Sequence, residues 1–180
     1  MRLVRYNAAT TLDGFIASLD GSTNWIVEDS TIDFDALYAE FETFVMGRKT
    51  YEVLLKFGNP LAGRPKDAVI VISRTMKPIE HPDITIEDGD AVDLVRRLRG
   101  GNGKDIWAMG GGQLVGPLLQ AGLVDMIEVA VMPVVIGEGV PMVSSLGKHV
   151  EAGLKLKLES VKHLEESGIL MTRYRVLQRP

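Results

Sequence analysis

Three short stretches carry the residue types that hold phosphate oxygens. In Met109-Gly110-Gly111-Gly112-Gln113-Leu114, successive positions lack side chains, so the backbone can take positive φ and another molecule can approach it closely. An apolar run precedes these glycines, and Leu114, Val115, Leu118 and Leu119 follow at one-turn spacing. That pattern predicts strand, turn and helix, with the free N–H groups and dipole of the helix start favouring an anion. Gly47-Arg48-Lys49-Thr50 repeats the arrangement and adds two cations and a hydroxyl, all suited to phosphate oxygens. Ser73-Arg74 closes a third apolar run with groups of the same kind. The competing explanation is that the glycines only turn the chain tightly. The spacing departs from the Rossmann fingerprint in its third glycine, and no Lys-Ser or Lys-Thr follows to make a triphosphate loop.

Asp33 is the one acid placed where it could act on a substrate. It opens a predicted helix whose apolar face is Phe34, Leu37, Tyr38 and Phe41. A carboxylate there can be a buried acid with a raised pKa or a helix cap, and both readings stand. Trp25 either covers a ligand ring or caps the core.

The elements that must position these residues follow in order. Leu3 to Ala9 predicts a first strand, with turns at Asp13-Gly14 and Asp20-Gly21. Thr43 to Gly47 predicts a strand leading into a helix that buries Tyr51, Leu54 and Leu55, and Ala68 to Ile72 a strand buried on both faces. Ile84 to Glu87 and Ile106 to Met109 predict further strands, separated by a helix that Asp90 caps. Met126 to Met132 predicts another, and two alternating segments around Glu165-Glu166-Ser167-Gly168 an antiparallel hairpin. Strands alternating with helices imply a mostly parallel sheet with helices on both faces, whose ligands sit at the carboxyl ends of the strands.

Composition bounds the function. The 180 residues suit a single domain, 1–180. A net charge of −4 argues against a broad nucleic-acid or membrane surface. The absence of cysteine excludes disulfides and thiolate chemistry and fits a reducing cytoplasm. His81, His149 and His163 lack metal-ligand spacing, so no metal site is expected. The opening residues do not read as a targeting segment.

Five segments in order, Thr11-Leu-Asp-Gly-Phe-Ile-Ala, Val45-Met-Gly-Arg-Lys-Thr-Tyr-Glu, Val71-Ile-Ser-Arg-Thr, Met109-Gly-Gly-Gly-Gln-Leu and Val124 to Gly139, carry a resemblance. The chain resembles the dihydrofolate reductase superfamily, and more closely the reductase domain of the bifunctional riboflavin-biosynthesis deaminase-reductase. The resemblance implies a three-layer α/β/α fold with an antiparallel C-terminal hairpin and hydride transfer from NADPH to a pteridine- or ribosylaminopyrimidine-like substrate. It implies that Gly47, Arg48, Lys49, Thr50, Ser73 and Arg74 hold the adenosine phosphates. Gly110, Gly111, Gly112, Gln113 and Leu114 would hold the pyrophosphate, and Ala8, Ile16 and Ala17 the nicotinamide. Asp33 would serve as the substrate-side acid, with Trp25 and Phe34 against the substrate. Its separation from Gly47 is shorter than in dihydrofolate reductases, which sets the riboflavin branch ahead of a genuine folate reductase. A nucleotide-binding or regulatory module without turnover is the rival reading, and a purely structural domain a third. The alternating C-terminal strands suggest an edge that pairs subunits into a homodimer.

Overall fold

The computed structural model describes residues 1–146 and 153–177, so His149 lies outside the described residues. An eight-stranded sheet runs through the molecule in the order β5-β4-β3-β6-β1-β7-β10-β9. Its parallel strands are β1 (Val4–Thr11), β3 (Phe41–Gly47), β4 (Val69–Ile72), β5 (Thr85–Glu87), β6 (Asp105–Gly110) and β7 (Met126–Met132). The hairpin of β9 (Leu156–His163) and β10 (Leu170–Val176) adds to β7 antiparallel. β2 (Phe15–Ala17) and β8 (Val140–Pro141) form a separate small sheet.

Strand alternation divides the core between the two faces, because successive side chains point to opposite sides. Val45, Ile70, Ile106 and Ala108 join the cluster that includes α3 (Ala91–Arg99) and α4 (Gly112–Gln120). Phe44, Met46, Val69, Val71 and Trp107 join the opposite cluster, which takes in α1 (Phe34–Ala39) and α2 (Arg48–Lys56). The result is a three-layer α/β/α fold with a mostly parallel sheet. Near β7 and β10, the face shared with α1 and α2 is covered by Trp25, Ile26, Val27 and Ile32 of an irregular segment.

Two predicted helix faces are corrected. Phe41 belongs to β3, where it pairs with Asp105, and α1 stops at Ala39. The aromatic run from Phe41 fits a pleated surface better than a helix: the Phe41 and Trp107 ring centroids are 4.8 Å apart, and the Arg5 guanidinium lies 4.4 Å from the Phe41 centroid. Leu55 is 43% exposed, because α2 turns only Tyr51 and Leu54 fully inward.

An ion network is built into the sheet under α1. Arg5 donates to both carboxylate oxygens of Glu128 at 2.9 and 2.8 Å, and to Glu40 at 2.5 Å. Arg173 also donates to Glu128, at 2.5 Å. Burial disfavours the Arg5 charge, but the hydrogen bonds to Glu128 and Glu40 outweigh it and raise the guanidinium above its ordinary range. The bidentate pair ties β1 to β7 and so fixes the register of the strands that floor the site.

Candidate functional site

The three predicted turns lie together. Register places Gly47 beside Ile72 and Met46 beside Gly110, so β3, β4 and β6 end at one level of the sheet. A cleft of about 2410 Å³ opens there, lined by Gly47, Arg48, Lys49 and Thr50, by Ser73 and Arg74, and by Gly111, Gly112, Gln113 and Leu114. The turns nearly touch: a Cβ on Gly111 would lie 3.3 Å from Ile16 Cδ1 and 3.8 Å from Thr50 Oγ1.

The helix starts differ in a way that bears on ligands. Asp33 caps α1 and Asp90 caps α3 through side-chain hydrogen bonds. α2 and α4 begin at Gly47 and Gly111 and have no side-chain cap. Their leading N–H groups are therefore the ones available to an anion in the cleft. Arg74 is exposed and, among the described residues, unpaired, while Arg48 makes only a surface pair with Glu52 at 2.6 Å. Ser73 lines the cleft but is itself buried. Its Oγ accepts the N–H groups of Thr75 and Met76 at 3.2 and 3.1 Å, which holds the turn that presents Arg74.

Gly110 differs from its two neighbours. It ends β6 buried at φ 94°, behind the lining, with its peptide bond to Gly111 cis. Tyr6 lies beside it. The Tyr6 hydroxyl donates to Met142 O at 2.9 Å, and burial pushes that phenol well above its ordinary range. The segment after β8 is stitched down further, since Ser144 N donates to Gly112 O at 3.3 Å and Met142 N to Gly14 O at 3.0 Å.

Ala8, Ile16 and Ala17 line the cleft next to the glycine turn. β2 holds Ile16 and Ala17 through its pairing with β8, and Asp13 secures the same junction by accepting Gly137 N at 2.7 Å. Hydrogen bonding by Thr11, and then by the Gly137 and Ile136 amides, keeps the Asp13 carboxyl below the usual carboxylate range.

On the substrate side the structure separates the candidates. Phe34 lines the cleft and is 56% exposed. Trp25 does not line it; the indole packs with Met132, Leu164 and Ile169, the core role. Asp33 is exposed, outside the lining, and its Oδ1 accepts Ala36 N at 2.8 Å. The buried-acid setting is therefore absent, and the first-turn capping role is what the fold gives it. Asp33→Ala is expected to cost about 1 kcal/mol in urea melts; unchanged stability would contradict the capping role.

Sequence reasoning missed the floor. Asn7, Ala9, Trp107, Met109, Ala130 and Met171 line the cleft from the central strands. Alternation was the signal available, since Asn7 and Ala9 share a face with Arg5, but the two-sided burial of these strands hid which face is left open.

Comparison with known proteins agrees with this architecture. The family model described as the RibD C-terminal domain matches residues 2–170. YyaP of Bacillus subtilis (strain 168), an uncharacterized protein, is 29% identical over 96% of this chain and 94% of its own length. A solved structure of a putative riboflavin biosynthesis protein from Shewanella sp. PV-4 is 25% identical, with a TM-score of 0.78, covering 98% of this chain and 99% of its own. The Thermotoga maritima diaminohydroxyphosphoribosylaminopyrimidine deaminase/5-amino-6-(5-phosphoribosylamino)uracil reductase shares the fold at 18% identity and a TM-score of 0.70, over 98% of this chain and 57% of that one. From its first strand to its hairpin, this chain belongs to the RibD C-terminal domain family.

Proposed function

We propose that the protein is an NADPH-dependent reductase that delivers hydride to a pteridine- or ribosylaminopyrimidine-like ring. The observation that carries this reading is the convergence of two uncapped helix starts and the exposed cations Arg48, Lys49 and Arg74 on one cleft whose floor is apolar except at Asn7. A Cβ on Gly112 would lie 2.5 Å from Pro141 O, so the close packing of the segment after β8 on this turn requires glycine there. The family match and the reductase named among the fold neighbours support the same reaction class.

In this reading the N–H groups at Gly112 and Gln113 hold the pyrophosphate, and Arg48 with Arg74 holds the ribose phosphate by charge-assisted hydrogen bonds. When bound, the nicotinamide supplies the hydride, and the protein supplies orientation and exclusion of water. Ile16 and Ala17 wall the nicotinamide end, and the floor residues Ala9, Ala130 and Met171 present an apolar surface to the substrate ring. The test is NADPH consumption, followed optically, with a panel of pteridines, ribosylaminopyrimidines and simple carbonyls. Turnover with a ring substrate supports the reading; tight NADPH binding with no turnover across the panel supports instead a nucleotide-binding module.

The same reading places the protein in the cytoplasm as a homodimer. Among the described residues no helix is long and apolar enough to cross a membrane. β9 is a sheet edge, and Leu156, Leu158 and Val161 are exposed on it. The register shift opposite Arg173 and Tyr174 brings these three to one face, and an exposed apolar edge invites a partner. Light scattering is expected to give twice the chain mass, and Leu158→Glu with Val161→Glu a monomer; a monomeric wild type would contradict this assembly.

A further inference from the structure

The lining cations of the cleft are confined to one half, where the carboxylates of Asp20, Glu52, Asp88 and Asp90 accompany them. Arg48, Lys49 and Arg74 gather at the turns after β3 and β4, the cofactor half of the reading above. A fourth lining cation, Lys56, sits in the last turn of α2, within electrostatic reach of Asp20. The other half lies past Ala8 and Ala9, over Ala130, Met132 and Met171. Its charged side chains are Glu28, Asp29 and Glu166, and among the described residues no lysine, arginine or histidine lines it. Glu28 and Glu166 are exposed and outside every ion pair among the described residues. Asp29 takes hydrogen bonds from Thr31 and Ser167, and Lys162, which reaches it electrostatically, lies outside the lining.

The helix nearest this half offers no anion site either: α1 is short and its start is already capped by Asp33. One polar group is open to a ring. Asn7 is half-buried on the floor, and its carboxamide has no hydrogen-bond partner among the described residues. An amide presents a donor and an acceptor side by side, matching the alternating edge of an aminopyrimidine or pteridine.

We propose that the substrate half of this cleft takes a phosphate-free, amino-substituted nitrogen heterocycle, with Asn7 reading the ring edge and Glu28, Asp29 and Glu166 rejecting phosphorylated analogues. This rests on the reductase reading and narrows its substrate class. A phosphate dianion here would meet three carboxylates and no lining cation, whereas phosphate sites recruit arginine, lysine or free helix N–H groups. Rejection by unmatched like charge is an ordinary source of specificity.

The test uses the full chain saturated with NADPH and calorimetric titration of one matched pair, a ribosylaminopyrimidine with and without its 5′-phosphate. The phosphate-free form is expected to bind at least ~10-fold more tightly, and Glu28→Gln with Glu166→Gln to narrow the gap by strengthening the phosphorylated form alone. Both positions are exposed, so the double variant keeps the fold. Equal or tighter binding of the phosphorylated form overturns the inference and leaves the reductase reading intact. An unchanged gap in the double variant overturns the role given to these carboxylates. Binding of neither form overturns the inference and the reductase reading together.

Discussion

Glu128→Ala is expected to lower stability by about 3 kcal/mol, the range for breaking a buried ion pair by removing one partner. The Glu128 and Arg5 side chains are 7% and 8% exposed, so the guanidinium left behind cannot turn to bulk water. Glu40 and Asp105 still reach Arg5 at 2.5 and 3.3 Å, which keeps the loss at the low end. Spread over a chain of this size, such a loss lowers Tm by roughly 6–12 °C. Arg173→Ala removes only a half-exposed partner of the same carboxylate and is expected to cost far less. Calorimetric melts of both variants check the order, and equal shifts would mean that the buried pair is not what ties β1 to β7.

Gly112→Ala is the second large effect, and it falls on the ligand. The added Cβ would meet Pro141 O at 2.5 Å and Ser144 N at 2.9 Å, both backbone atoms that cannot swing away. Either the turn or the strand-end segment must shift, at about 1–3 kcal/mol for overpacking. Because the turn's own N–H groups are the proposed pyrophosphate contacts, the same displacement is expected to weaken NADPH by ~10-fold or more. Gly89 also lines the cleft, but a Cβ there meets nothing within 4 Å. Gly89→Ala is thus the control, expected to leave affinity unchanged; equal losses in the two variants would detach the effect from the glycine turn.

How much of this was legible beforehand depended on how local each signal was. The β3 and β6 turns could be read because an apolar strand, a glycine and a helix start are contiguous in sequence, and the β4 turn because Ser73 and Arg74 end an apolar run; the parallel topology then places the strand ends together. Phe41 was misassigned because its spacing from Phe34 and Tyr38 fits a helix, while its pairing with Asp105 is visible only in the sheet. Arg5 with Glu128, and Tyr6 with Met142, join residues more than a hundred positions apart, so no pattern within either segment announces them. Asp33 shows the opposite case. The cap and the buried acid make the same first-turn signature, and only the exposure of the carboxylate and its bond to Ala36 N separate them.

The most direct measurement is a fluorescence titration of NADPH and NADH on the wild type and on the Arg48→Ala, Arg74→Ala double variant. The account predicts that NADPH weakens by ~10–100-fold, the loss of about 1.5–3 kcal/mol in charge-assisted contacts, while NADH binding hardly changes. Equal weakening of both dinucleotides, or none of either, would contradict the claim that these turns close on the phosphates of one redox coenzyme.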